Sequence, residues 1–212
     1  MAKHRVTALL ICLAAIPLVW TIPAYGQAGA TEFKVAKVKS AGISLEYPSN
    51  WAVVVLTPKV VRSQRAITLK NNPKLGELFD EAAAGEALKH SKFSAADLEA
   101  KLAGRPSSIV GVQGGSGFTL PLNKMVTQLA ATYKKAGATI LNTSTVQVSG
   151  TRSARIDMQL TANASDGTPV SVRLSQLLAP IGGRSVLVSV AAEDNNVGAT
   201  TIDHIMQSVR AI

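Results

Sequence analysis

Ala154, Ile156, Met158 and Leu160 alternate with Arg155, Asp157 and Gln159. A period of two specifies a half-buried β-strand, because successive side chains leave a strand on opposite faces. Asp166-Gly167 then gives a hairpin-type turn, and Val170, Val172, Leu174 and Leu177-Leu178 form the returning partner. Pro180-Ile181-Gly182-Gly183 turns the chain again, and Val186 to Ala191 runs back. Upstream, residues 140–148 hold another strand, with the turn at Gly150-Thr151. Neighbours joined by such short turns pair antiparallel, as a meander. An antiparallel sheet of this kind needs cover on a face.

Two helices are placed to provide it. The first starts at Pro121, which suits a first helical turn, and repeats Leu122, Val126, Leu129, Ala130 and Tyr133 at helical spacing. Lys134 and Lys135 fall in its last turn, where cations favour the dipole, and Gly137 supplies the stop. The second closes the chain. Thr200 and Asp203 fit a capping box, and Ile202, Ile205, Met206 and Val209 make one apolar face.

The first half of the chain reads as shorter elements. Phe33, Val35 and Val38 set against Lys34, Lys37 and Lys39 suggest an edge strand with lysines facing out, which also discourages sheet-to-sheet association. Ile43, Leu45 and Tyr47 alternate with Ser44 and Glu46 as the next strand, ended by Pro48-Ser49-Asn50 before Trp51. Val53 to Leu56 and part of Val60 to Lys70 read as further strands. Leu75, Leu78, Phe79 and Ala82 to Ala84 suggest a short helix or two half-turns. Ser94 and Asp97 match a capping box that opens a helix through Leu98 and Leu102. Ile109 to Val112 is a strand, and Gly114, Gly115 and Gly117 make a glycine loop ahead of the long helix.

Residues 1–30 read as a signal peptide and 31–212 as one α+β domain. Lys3, His4 and Arg5 form a positive region, Val6 to Trp20 is almost wholly apolar, and small residues follow in Ala24-Tyr25-Gly26 and Ala28-Gly29-Ala30, with cleavage expected after Ala30. The apolar stretch is shorter than the roughly 20 residues of a membrane helix, so no stable span is expected after cleavage. Cys12, the one cysteine, lies inside that stretch behind Ile11, which is wrong for a lipid-anchor junction. The exported form would then hold no cysteine, which excludes a disulfide, a thiol nucleophile and Cys-ligated metal. An apolar fraction of 47% supports a core without such staples. It also excludes a wholly disordered or collagen-like chain.

The segment Gly42-Ile43-Ser44-Leu45-Glu46-Tyr47-Pro48-Ser49-Asn50-Trp51 resembles the glycine–hydrophobic opening, with its Tyr-Pro and Trp, of the PsbP/Mog1-like superfamily. The end is similar as well. A meander runs into Thr201-Ile202-Asp203-His204-Ile205-Met206-Gln207-Ser208-Val209-Arg210, with Val209 where that group usually has Phe. Residues 71–118 have no counterpart in the pattern. The resemblance implies an α/β/α sandwich around an antiparallel sheet and accessory, assembly or binding roles. It brings no catalytic triad to transfer. Tyr47, Pro48 and Trp51 are read as structural.

A search for chemistry finds little. His90 is expected to be exposed, and His204 borders the apolar stripe. Asp203 adjoins His204 in sequence, but neighbours on a helix do not face each other. Neither histidine comes with the further ligands of a zinc site. Gly114-Gly115-Ser116-Gly117 lacks the Lys-Ser/Thr ending of a phosphate loop and the Gly-x-Ser-x-Gly spacing of an esterase elbow. Glu193-Asp194-Asn195-Asn196 lacks calcium-loop spacing. Asn142-Thr143-Ser144 and Asn163-Ala164-Ser165 fit the glycosylation pattern, which matters only in a glycosylating host.

With 22 Lys+Arg against 13 Asp+Glu the formal charge is +9, and loss of Lys3 and Arg5 would lower it by two. The basic residues are scattered, with local concentrations only at Lys34-Lys37-Lys39, Arg62-Arg65 and Lys134-Lys135, so nucleic acid is a disfavoured partner. The expectation is a secreted or periplasmic bacterial protein without enzymatic activity, metal or cofactor. It would recognise a protein or an anionic envelope component, with an anionic polymer as a further candidate. Sequence assigns neither catalytic nor ligand-binding residues. The alternative is a hydrolase or other enzyme on a phosphorylated or acidic-glycan substrate, clamped by distant acids and Arg105, Arg152, Arg155, Arg173 or Arg184. A third reading is a structural or secretion-accessory subunit, which an exposed apolar patch would mark.

Overall fold

A computed structural model describes residues 32–62, 66, 85, 88–98, 108–116, 118, 120–164 and 166–212. The expected signal peptide, the helix at 75–84, Arg65, Leu102, Arg105 and Gly117 lie outside these residues. The strands are β1 (Phe33–Val38), β2 (Ile43–Pro48), β3 (Ala52–Val53), β4 (Ser91–Ala96) and β5 (Ile109–Ser116), before helix α1 (Leu122–Lys135). Then follow β6 (Thr139–Val148), β7 (Thr151–Asn163), β8 (Pro169–Ile181), β9 (Arg184–Glu193), helix α2 (Asn196–Ser208) and β10 (Arg210–Ala211).

Among the described residues, seven strands form one antiparallel sheet in the order β3-β4-β5-β9-β8-β7-β6, and three form a smaller one in the order β1-β2-β10. The expected meander is its larger part. Two of its turns hold paired positive-φ residues, Ser149-Gly150 at 48° and 79° and Gly182-Gly183 at 56° and 74°. Such two-residue turns match the right-handed twist of the strands they join. Asp166 tightens the β7–β8 turn by accepting from the Thr168 backbone N–H at 2.8 Å. That hydrogen bond holds its carboxyl below the usual range.

Each face of the large sheet has its own core. On one side Met125, Leu129 and Tyr133 of α1 pack on Ile156, Met158, Leu160, Leu174, Leu178 and Leu187. On the other Ile202, Ile205 and Met206 of α2 join Ile43, Leu45, Tyr47 and Trp51 over Leu177, Val186, Val188 and Val190. Burial of each large side chain contributes roughly 1.5–3 kcal/mol. The fold is thus α+β, a sheet covered on both faces, with β1 and β2 beside α2. No helix among the described residues is long and apolar enough to cross a membrane.

Several local expectations are corrected. The α1 stripe runs through Met125 rather than Val126, which is only half-buried. In β1, Val35 is exposed, while Lys34 turns inward and donates to the Ser49 and Trp51 carbonyls at 2.8 and 3.1 Å. The lysine satisfies the turn that seats Trp51. The strand expected over 53–56 is reduced to Ala52–Val53, with Val53 and Val55 exposed, and residues 58–62 are helical. Ser94 caps nothing, because it lies buried within β4, opposite Gly111. The glycine loop is strand: Gly114 and Gly115 pair with Val186 and Ser185 of β9. A Cβ on Gly114 would meet the Lys92 stem and Ala41, and one on Gly115 would meet the His90 ring and Ser185. These glycines permit close packing rather than movement.

Helix α2 begins before the expected Thr200–Asp203 box. Its N-cap is Asn195, whose side-chain oxygen accepts from the Gly198 N–H at 2.8 Å. Thr200 lies inside the helix and bonds back to the Asn196 carbonyl. Gly198 itself sits where a Cβ would overlap the Glu193 carbonyl. Asn195→Ala should therefore cost about 1 kcal/mol, with Thr200→Ala changing stability by less than about 0.5 kcal/mol. Gly198→Ala should cost about 2–4 kcal/mol. Urea-unfolding midpoints check all three. Equal effects at Asn195 and Thr200 would refute the position of the cap.

Candidate functional site

The polar face of β7 faces α2 and does not open to solvent as a plain strand surface. Arg155 Nε lies 2.9 Å from Asp157 Oδ1, and its Nη2 lies 2.6 Å from Asp203 Oδ1 on α2. The same Nη2 donates to Ser175 Oγ at 3.2 Å, and Ser175 donates to Asp157. Further along the seam Gln159 Nε2 donates to Asp194 at 2.6 Å and to Ser171 at 3.0 Å. Arg173 Nε faces Asp194 as an ion pair at 3.3 Å, without hydrogen-bond geometry.

Alternation explains this placement. Arg155 and Asp157 occupy the positions between Ala154, Ile156 and Met158, so the residues that bury one face under α1 direct the charges to the α2 face. Cross-strand pairing of Asp157 with Ser175 and Gln159 with Arg173 then brings β8 into the network. Burial alone would lower the pKa of the Arg155 guanidinium, but the Asp203 hydrogen bond and the Asp157 and Asp203 charges outweigh it and raise it. Arg155 is charged throughout the physiological range, with both neighbouring carboxylates directed at it.

The two residues adjacent in sequence, Asp203 and His204, point to different partners. His204 Nε2 lies 2.7 Å from Glu46 Oε2, and its ring stacks on Phe33 with centroids 3.7 Å apart. Ser208, one turn on, accepts from the Glu46 backbone N–H at 2.8 Å and donates to the Ile205 carbonyl. These contacts fasten α2 to β1 and β2. Histidine and glutamate are both near 40% exposed, so the pair contributes at most about 1 kcal/mol.

The other candidates are dispersed. His90 is half-buried, correcting the expectation of exposure, with Nδ1 3.3 Å from the Gly114 carbonyl. Arg184 donates to the Ser40 carbonyl at 3.0 Å. Arg152 is exposed and forms no ion pair with a described residue. The described arginines named as a clamp, Arg152, Arg155, Arg173 and Arg184, are therefore not gathered around one pocket. Glu193 ends β9 and Asn195 caps α2, so the expected polar loop is built into the fold. No group of three or more metal-ligating side chains occurs among the described residues. Asn142 is exposed on β6.

Sequence reasoning missed a second polar cluster, buried on the α1 face. Gln176 Nε2 donates to Tyr133 Oη at 3.0 Å and to Ser189 Oγ at 3.1 Å. Ser94 Oγ and both amide atoms of Gln113 are buried without a hydrogen-bond partner among the described residues. The available signal was polar residues set at apolar positions of otherwise buried strands.

No family model and no curated protein matches the chain. Solved structures do. Cyanobacterial PsbP (CyanoP) from Synechocystis sp. PCC 6803 is similar at a TM-score of 0.53 and 10% identity, over 90% of this chain and 99% of that one. The Ran-binding protein Mog1p from Saccharomyces cerevisiae is similar at 0.50 and 8%, over 85% of this chain and 95% of that one. The chain has the PsbP/Mog1-like fold. At these identities the comparison establishes architecture, and function rests on the site.

If the Arg155 network serves the fold, Arg155→Ala leaves two carboxylates facing each other and should cost about 2–3 kcal/mol. Chemical denaturation reads this directly. An unchanged or increased stability would mark the arginine as held for ligand rather than for the fold.

Proposed function

We propose that this chain is an exported, non-enzymatic binding or accessory protein that engages a protein partner outside the cytoplasm. The observation that carries the reading is mutual pairing of opposite charges along the seam. Arg155 is matched by Asp157 and Asp203, and Arg173 faces Asp194. Such groups are engaged with one another rather than held ready for a reacting atom. The N-terminal segment, read as a signal peptide, supports export. The fold supports the binding role by analogy, since similarly folded Mog1p is a Ran-binding protein. An anionic envelope component is the less favoured ligand, because Arg152 and Arg155 line different concavities and Arg155 is already engaged by Asp157 and Asp203.

The test is affinity capture from host envelope extract with residues 31–212, at low and at physiological salt. A single protein retained at physiological salt, and bound again when purified, is the expected result. Capture that is heterogeneous and lost at physiological salt would reduce the role to generic electrostatic attraction by a basic protein. Metal-independent turnover in a broad hydrolase screen, abolished by one polar substitution, would overturn the non-enzymatic reading.

A further inference from the structure

Strand β6 ends the large sheet and pairs, among the described elements, only with β7. An edge strand presents outward the N–H and C=O groups of every second residue. Proteins usually guard such edges with charge, proline, shortness or a bulge. The opposite end of the sheet, β3, has two residues, and β1, an edge of the small sheet, carries the exposed Lys37. β6 is ten residues long, Thr-Ile-Leu-Asn-Thr-Ser-Thr-Val-Gln-Val, with no charge and no proline. Its one irregularity falls between Ile140 and Asn142, so from Asn142 to Val148 the register with β7 is unbroken.

Each face of this edge opens on a concavity. On the α1 side, a groove of about 620 Å³ runs between the start of α1 and Thr143 and Thr145, with Arg152 in its wall. On the α2 side, one of about 380 Å³ is lined by Val146, Val148, Arg210 and Arg155, the last already paired with Asp157 and Asp203. Neither wall includes an acidic residue. Arg152 and Arg210 make no ion pair with a described residue; Arg210 donates only to the Gln207 and Val209 carbonyls. One uncompensated guanidinium therefore stands on each face of an open strand.

We propose that β6 is a docking edge for an extended acidic peptide segment of a partner protein, which adds an antiparallel or parallel strand and sends acidic side chains alternately toward Arg152 and Arg210. Main-chain pairing supplies affinity in this mode, and pockets for alternate side chains supply specificity. Charge complementarity selects this occupant over a second copy. The β6 sequence offers no acid to another copy's arginines, and two chains that stay strongly basic even without Lys3 and Arg5 repel. The proposal deepens the protein-binding reading and rests on it.

The probe is a fluorescein-labelled peptide of alternating threonine and valine with two glutamates placed one on each face, titrated into residues 31–212. Binding should protect the β6 amides from hydrogen exchange and leave the β1 amides unchanged. Backbone N-methylation of either the odd or the even peptide residues should weaken binding by at least about tenfold in one series and little in the other. Arg152→Glu, an exposed change that leaves the fold intact, should weaken the glutamate peptide about tenfold and favour a lysine-substituted version. Equal effects of the two methylation series, protection away from β6, or a dimer by sedimentation with protected β6 amides would each overturn the proposal. A partner captured from extract that binds unchanged to Arg152→Glu without protecting β6 would overturn this edge assignment while leaving the protein-binding function standing.

Discussion

Burial of the central strands on both faces is the constraint from which the rest follows. In β9 every residue from Ser185 to Ala192 is buried, and in β8 the buried run extends through Leu174 to Ala179. Successive side chains there point into different cores: Leu177 toward α2 and Leu178 toward α1. A sheet with one solvated face would not tolerate this pattern, so two covering layers are required. Among the described residues, α1 covers β6 and β7 on one side. On the other, α2 is supplemented by β1 and β2, whose Ile43, Leu45 and Tyr47 extend the apolar cover. Trp51 is held in that layer by the turn that Lys34 closes.

The charged seam has a place in this arrangement. Apolar packing under α2 can tolerate small changes in helix position, but the Arg155–Asp203 contact joins specified atoms of β7 and α2. The Asn195 cap fixes where the helix begins, and Ser208 ties its end to β2. Directional contacts along the helix thus define a position that hydrophobic burial defines only loosely. The seam's carboxylates act here as anchors, each with its own donors: Arg155 and Ser175 for Asp157, Arg155 for Asp203, and Gln159 and Ser171 for Asp194.

What was legible in the sequence follows the range of each signal. Alternation in Ala154 to Leu160 and helical spacing in Leu122 to Tyr133 depend on local geometry, and both elements occur as expected. The Gly42 to Trp51 segment, through its resemblance, carried the architecture that the solved structures share. The failures arise where pairing outranks local preference. Ser94-x-x-Asp97 has the form of a cap, but its Ser pairs in β4 beside β5. Gly114 and Gly115 have the composition of a loop, but stand in a strand where neighbouring side chains approach closely. The candidate site was legible by residue type alone. Arg155 and Asp157 were visible as alternating polar residues, whereas Asp203 lies 48 positions away and the Glu46 partner of His204 lies 158 away.

The unequal treatment of the sheet edges is the last consequence of this topology. A meander that ends in β6 leaves an outer strand for which the chain provides no described neighbour. Elsewhere, exposure of an edge is limited by two-residue strands or by Lys37 of β1. Solubility alone would favour the same protection on β6, because an uncharged edge with threonine and valine is a template for unwanted pairing. The nearby guanidiniums offer a narrower form of protection. Arg152 and Arg210 flank the strand without blocking its backbone, so they discourage a second basic chain and favour an acidic one. Partner selection and resistance to self-association would then come from the same two charges, and the edge could remain open without being indiscriminate.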